Sequence, residues 1–199
     1  MSYVDRILND GLDRESWEWA RRSIIGGSDA ASLSKLESVN KYLRAKVGTH
    51  WDGNEYSRRG HRWERMMLAW AGIPQNVALI HAPDEPGFAA TPDGILERGA
   101  GEVLLAECKL KHHPIKGPDL SEWRQLAWQF RVLPEATETL FIWQELDDDR
   151  NPVTDEPNII RIYRGDPKIL DLQTRMEPIA RVLLPMLRAA RQAEELIGL

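Results

Sequence analysis

Two stretches decide the fold: Thr91-Pro92-Asp93-Gly94-Ile95 and, fourteen residues after the aspartate, Glu107-Cys108-Lys109. The second stretch lies in an otherwise apolar segment, which is typical of a buried strand. Side chains alternate across a strand, so Glu107 and Lys109 share one face and Cys108 points to the other. The intervening Arg98-Gly99-Ala100-Gly101 indicates a hairpin that brings Asp93 to the side of Glu107.

Two neighbouring carboxylates indicate a metal site. Together with the backbone carbonyl of Cys108, Asp93 and Glu107 would suit Mg²⁺, with Mn²⁺ as a substitute. Lys109 beside that ion could orient or deprotonate a water, because a nearby cation pushes an ammonium towards its neutral form. This combination is typical of phosphodiester hydrolysis. The alternative is an ordinary Glu107–Lys109 ion pair with Asp93 as a turn former, and the three residues alone favour it.

The rest of the chain predicts one α/β domain over 1–199. Apolar residues recur with helical spacing in four regions, namely 13–22, 39–47, 56–71 and about 166–197. A further helix is predicted over about 119–133. Strand patterns cover 76–82, 94–97, 102–110, 139–146 and 158–163. This order predicts a central mixed sheet flanked by helices, with the last helix covering the core or, as the less favoured alternative, contacting another subunit.

Composition narrows the function classes. The 199 residues carry a net charge of -5, and no apolar run is long enough for a bilayer, so we expect a cytoplasmic protein without membrane contact. The single Cys108 excludes an internal disulfide and a thiolate zinc cluster. Residues 21–65 nevertheless contain ten Lys or Arg against five acids, a local excess of +5 that either binds nucleic acid or forms solvated helix faces.

A candidate anion site precedes the metal residues. Gly26-Gly27-Ser28-Asp29 is typical of a helix N-terminus with Ser28 as N-cap, where backbone amides favour a phosphate and Arg21 could add a contact. An ordinary capped helix without a ligand is the alternative. Trp51, in a polar stretch, is a candidate for stacking on bases, although most of the tryptophans fit a core.

Five motifs in one order resemble a known family. They are Arg21-(x)6-Ser28, Gly60-(x)3-Glu64, Pro92-Asp93-Gly94, Glu107-Cys108-Lys109 and Gln125. Their order resembles the YqaJ-type viral recombinase exonucleases, the family of phage lambda exonuclease, over about residues 21–145. The resemblance implies the PD-(D/E)xK restriction-endonuclease core.

The resemblance also implies roles for these residues. Asp93 and Glu107 would bind the metal with Glu64 nearby, and Lys109 would be the catalytic lysine. Gln125 matches the helix glutamine beside that lysine, but Ala127 stands where the family usually has a second glutamine, so the register between Gln125 and Gln129 is open. Arg21 and Ser28 would hold a terminal 5'-phosphate, together with Thr91.

The function implied is a 5'-3' exonuclease that degrades one strand of linear double-stranded DNA with two Mg²⁺ ions. Family members form toroidal trimers and work with a single-strand annealing protein, so a homotrimer and such a partner are expected. A phage-encoded protein would act in the host cytoplasm. Two alternatives remain: a PD-(D/E)xK endonuclease of restriction or repair type, and a catalytically idle DNA-binding module.

Overall fold

The computed structural model describes residues 2–48 and 55–197, with only the backbone given for 55–61 and 197. Trp51 lies outside the described residues. The helices are α1 (Arg14–Arg21), α2 (Gly27–Ala30), α3 (Val39–Gly48), α4 (Glu55–Ala71), α5 (Leu120–Val132) and α6 (Pro167–Ile197). The strands are β1 (Ile7–Asn9), β2 (Leu79–His81), β3 (Ala89–Ala90), β4 (Gly94–Gly99), β5 (Glu102–Lys111), β6 (Ala136–Glu145) and β7 (Asn158–Tyr163).

The central sheet has the strand order β4-β5-β6-β7. β4 and β5 form the predicted antiparallel hairpin, β5 and β6 run parallel, and β6 and β7 run antiparallel. The parallel pair is connected through α5, because a parallel return needs a long crossover. The predicted mixed sheet is therefore confirmed.

Helices cover both faces of this sheet. Leu105 of β5 packs in the larger core with Leu126 of α5 and Ile179 of α6. Its neighbour Leu104 points to the other face and packs in a smaller core with Met67 of α4. The alternation along β5 thus assigns odd-numbered residues to the α5 and α6 side and even-numbered residues to the α4 side.

A second, three-stranded sheet with the order β1-β2-β3 was not predicted as a sheet. The predicted strand over 76–82 contributes only Leu79–His81, because Asn76 turns the chain before it. The Asn76 side chain donates to the carbonyl of Pro92 at 2.9 Å, and its backbone N–H donates to the carbonyl of Asp93 at 2.8 Å. These two bonds fix the loop that carries Asp93.

The long C-terminal helix is close to its predicted bounds and continues through Pro178 and Pro185. Within the part of the chain that the structure describes, every helix is too short or too polar to cross a bilayer.

Candidate active site

The hairpin register determines where Asp93 and Glu107 lie. Gly94 pairs with Ala106, so Asp93, one residue earlier, comes beside Glu107. Both residues are on the odd-numbered side of the sheet, which faces α5. The Oδ2 atom of Asp93 accepts a hydrogen bond from the backbone N–H of Cys108 at 2.7 Å. The two carboxylates therefore face the same side of the sheet.

Glu107 is held on both carboxylate oxygens. Its side chain is only 1% exposed. Oε1 accepts from Nζ of Lys109 at 2.5 Å and from Nε2 of Gln125 at 2.6 Å, while Oε2 accepts from Nε2 of Gln129 at 2.5 Å. Gln125 and Gln129 are four residues apart on α5, so they share a helix face. Both glutamines therefore contact Glu107, and which of them matches the family's helix glutamine stays open.

Lys109 is a cation in this environment. Burial lowers its pKa, but the charges of Glu107 and Asp93 and the hydrogen bond to Glu107 outweigh burial and raise the pKa above its ordinary value. Its Nζ also lies 3.3 Å from Oε1 of Gln125. A neutral Lys109, as expected beside a metal, would therefore require a metal ion whose charge offsets the effect of Glu107 and Asp93 on the lysine pKa.

Asp93 lies in an excess of negative charge. Burial, the charge of Glu107 and the charge of Glu64 raise its pKa well above the ordinary value, whereas Lys109 and the Cys108 N–H lower it. Burial and the same carboxylates raise the pKa of the Cys108 thiol, which therefore stays neutral and is a poor metal ligand.

Glu64 reaches the site from α4. It lines the same cleft as Asp93, and its Oε1 accepts a hydrogen bond from Nε2 of Gln75 at 2.9 Å. Gln75 lies in the loop after α4 and forms an isolated bridge with Gly94. Sequence reasoning missed Gln75, because nothing in the spacing shows that this loop returns to β4.

The donor set fits a hard divalent cation. Among the described residues, no three His, Cys, Asp or Glu side chains are gathered as a ready metal cluster. The site instead offers carboxylate oxygens from Asp93, Glu107 and Glu64 with too little positive charge to balance them, the condition that a divalent cation relieves. Two buried oxygens in the cleft, Oγ1 of Thr91 and Oε1 of Gln129, accept no hydrogen bond from any described residue. The Cys108 carbonyl remains a predicted ligand.

Several of these residues, though not Glu107, Cys108 or Lys109, line a cleft of about 630 Å³. One part carries Glu64, Thr91, Asp93, Gln125 and Gln129, and the rest includes α1 and the Gly26-Gly27-Ser28 turn. The predicted phosphate residues Arg21, Ser28 and Thr91 are thus brought to the same cleft as Asp93.

The predicted helix N-terminus differs in one respect. Its N-cap is Gly26, not Ser28, because the Asp29 carboxylate reaches back to accept the Gly26 N–H at 2.8 Å. Lys46 pairs with the same carboxylate at 2.6 Å. An anion from the protein therefore already occupies this end of the four-residue α2, which leaves side chains to bind a phosphate.

Arg21 and Ser28 form a direct pair on the cleft wall. The Nη2 atom of Arg21 lies 2.6 Å from the Ser28 hydroxyl, and its guanidinium stacks 4.5 Å from the Trp17 ring centre. Burial lowers the pKa of Arg21, but Asp29 and Glu18 oppose this, and an arginine stays charged in a protein. Trp17 was missed, although its spacing of four from Arg21 on a helix predicts such a stack.

Fold and site together define an α/β protein of restriction-endonuclease-like fold whose cleft is lined by the carboxylates of Glu64 and Asp93. No protein-family model matches the sequence, and no curated protein matches it significantly.

Solved exonuclease structures do resemble this chain. An alkaline exonuclease, LHK-Exo from Laribacter hongkongensis, has a TM-score of 0.62 at 20% identity over 92% of this chain and 99% of that one. The same enzyme in complex with dAMP gives 0.60 at 22% identity, with the same coverage. A phage-related exonuclease from Haemophilus somnus 129PT gives 0.54 at 11% identity over 94% and 93%. These similarities confirm the predicted fold, and the neighbours are exonucleases, as the family resemblance led us to expect.

Proposed function

We propose that this protein is a Mg²⁺-dependent exonuclease that degrades one strand of linear double-stranded DNA from its 5' end. The observation that carries the proposal is the cleft itself. Asp93 and Glu107 face one side of the sheet beside Lys109. Arg21 and Ser28 line the same cleft as Asp93.

In the proposed reaction, Asp93, Glu107 and Glu64 would hold the cations, and the family resemblance implies two ions. Bound Mg²⁺ would lower the pKa of a water and neutralise charge on the phosphate. Lys109 orients the attacking water and can accept its proton once the carboxylate charge is offset. Gln125 and Gln129 keep the Glu107 carboxylate in one orientation, so that its geometry is fixed before the substrate binds.

Arg21 and Ser28 supply the preference for a strand end. A guanidinium beside a hydroxyl suits a terminal phosphate, which offers more charge and more acceptor oxygens than an internal diester. The exonuclease neighbours support the same choice. An endonuclease on this core is the second candidate, and the complete set of Asp93, Glu107 and Lys109 argues against an idle DNA-binding module.

The wider proposal rests on the family resemblance. It includes a homotrimer around the DNA, a single-strand annealing protein as partner, and action in the cytoplasm of a host cell. Size-exclusion chromatography with light scattering would test the trimer directly.

The central test compares linear duplex DNA and closed circular DNA as substrates of the purified protein. We expect digestion of linear, 5'-phosphorylated duplex and no digestion of closed circles, with activity present in Mg²⁺ and absent in EDTA. Glu107→Ala and Lys109→Ala should each remove the activity, whereas Lys168→Ala, which loses a lysine stacked on Trp123 outside the cleft, should retain it. Equal cutting of circles would assign an endonuclease, and full activity in Glu107→Ala or Lys109→Ala would overturn the site.

A further inference from the structure

Gln129 combines three features that its neighbours in the cleft do not share. Its side chain is 1% exposed, yet it lines the cleft. Its Nε2 donates to Oε2 of Glu107 at 2.5 Å. Its Oε1 is buried and accepts no hydrogen bond from any described residue.

An unpaired buried carbonyl oxygen carries a free-energy cost, because it gives up its hydrogen bonds to water, so proteins seldom keep one without a partner. An apolar side chain would fill the same volume without that cost but would leave Oε2 of Glu107 without its donor. The amide is therefore suited to two contacts at once, one to Glu107 and one to a donor that enters the cleft.

Gln125 does not share this property. Its Nε2 donates to Glu107 and its Oε1 lies 3.3 Å from Nζ of Lys109, so both ends of its amide are engaged. Gln129 lies one helical turn further on the same face. A glutamine at Ala127 would not reach the same place, because residues two apart on a helix point in different directions.

We propose that Gln129 is a positioning residue of the cation site. Its N–H fixes the second oxygen of Glu107, and its unpaired Oε1 accepts a hydrogen bond from a water on the bound divalent cation. This inference rests on the proposed function, because it requires that Glu107 bind a cation.

The first test measures cation binding without DNA. Isothermal titration with Mn²⁺ compares the wild type, Gln129→Met and a matched control, Gln144→Met. Gln144 of β6 is also a buried glutamine, 2% exposed, but it does not line the cleft. Its side-chain amide donates to the backbone carbonyl of Thr154. We expect the dissociation constant to rise about tenfold in Gln129→Met and to stay unchanged in Gln144→Met.

A second readout separates positioning from folding. Gln129→Met should need about tenfold more Mg²⁺ for half-maximal nuclease activity than the wild type, whereas Gln144→Met should need the same concentration as the wild type. A variant that is only misfolded loses activity equally at every Mg²⁺ concentration. If Gln129→Met does not fold, the wild type provides the test by NMR: the side-chain amide signal of Gln129 should shift as Mg²⁺ is added, and that of Gln144 should not.

The outcomes separate the two proposals. If the wild type binds no Mn²⁺, the proposed function fails and this inference fails with it. If the wild type binds Mn²⁺ but Gln129→Met binds it equally well, or the Gln129 amide signal does not move with Mg²⁺, only this inference is overturned.

Discussion

Two buried glutamates on adjacent strands, Glu107 and Glu138, have opposite surroundings. Glu138 is 4% exposed and pairs with Arg98 of β4 and Arg161 of β7, the latter at 3.0 Å. It lies opposite Leu104, on the side of the sheet covered by α4. Glu107 lies on the other side, where its partners among the described residues are the cation Lys109 and two neutral amides.

The difference lies in charge balance. Two arginines compensate Glu138, which is the arrangement of a structural ion pair. One lysine must serve Glu107 and Asp93 together, with Glu64 near enough to raise the pKa of Asp93 further. The first region is complete without a ligand, whereas the second has an excess of negative charge that a divalent cation would neutralise.

The largest effect should come from removing one charge in each region. We expect Glu107→Gln to reduce nuclease activity about a thousandfold, roughly 4 kcal/mol of transition-state stabilisation, while stability in EDTA changes by less than about 1 kcal/mol. Glu138→Gln should do the reverse, keeping activity and losing about 1–2 kcal/mol, because Arg98 and Arg161 can be hydrated at the surface. Initial rates on linear duplex and urea unfolding measure the two quantities.

The comparison would be contradicted if Glu107→Gln and Glu138→Gln changed nuclease activity and stability in the same way. Loss of activity in Glu138→Gln without a change in the unfolding midpoint would place that carboxylate in the chemistry. A large loss of stability in Glu107→Gln would mean that its contacts serve the fold.

Much of the central sheet, and the placement of Asp93, Glu107 and Lys109 on it, was predictable from the local sequence pattern. The period of two fixed the shared face of Glu107 and Lys109, and the glycine-containing turn predicted the hairpin that brings Asp93 alongside. Helix α5 was predicted over about 119–133, and in the structure Asp119 is its N-cap and accepts from the backbone N–H groups of Ser121 and Glu122.

The rest depends on contacts between distant segments. The bond from Gln129 to Glu107 spans 22 residues and exists only because α5 packs on β5. The N-cap was mispredicted at Ser28 because the helix begins earlier, at Gly27, and the Asp29 carboxylate accepts the backbone N–H of the N-cap Gly26. The second sheet escaped prediction because strands of two or three residues, such as Ala89–Ala90, carry almost no periodic signal.

A smaller effect should come from the arginine on the cleft wall. Arg98 and Arg161 each pair with a carboxylate, whereas Arg21 contacts the neutral hydroxyl of Ser28, so its charge can serve a phosphate. We expect Arg21→Gln to reduce the preference for 5'-phosphorylated over 5'-hydroxyl ends about thirtyfold, or roughly 2 kcal/mol. Rates on the two kinds of end, each at saturating Mg²⁺, give this ratio.

The matched control is Arg175→Gln, which removes an exposed arginine from an i,i+4 pair with Asp171 on α6. It should leave the preference unchanged. An unchanged preference in Arg21→Gln would instead mean that the arginine serves the fold through Trp17 and not the substrate.

The smallest effect is a pH dependence of stability in EDTA. Burial and the charges of Glu107 and Glu64 raise the pKa of Asp93, against the opposing charge of Lys109. A raised pKa stabilises the fold below the ordinary value of 3.8, and that contribution is lost as pH rises through the raised value. Asp93→Asn has no such loss, so we expect its stability relative to the wild type to improve by about 1 kcal/mol between pH 4 and pH 8.

Asp84 supplies a control of opposite sign. Its hydrogen bond to Arg131 lowers its pKa, so its contribution is present above the ordinary value and is lost as pH falls. The loss of unfolding free energy caused by Asp84→Asn should therefore shrink towards acid pH, while the gain of unfolding free energy caused by Asp93→Asn grows towards alkaline pH.

Adding Mg²⁺ should restore the stability of the wild type at pH 8 and leave the stability of Asp93→Asn unchanged, because only the wild type has the full set of carboxylates to bind the ion. If the difference in unfolding free energy between Asp93→Asn and the wild type is the same at every pH, the negative charge at this site is already balanced. The contrast with Glu138 would then disappear.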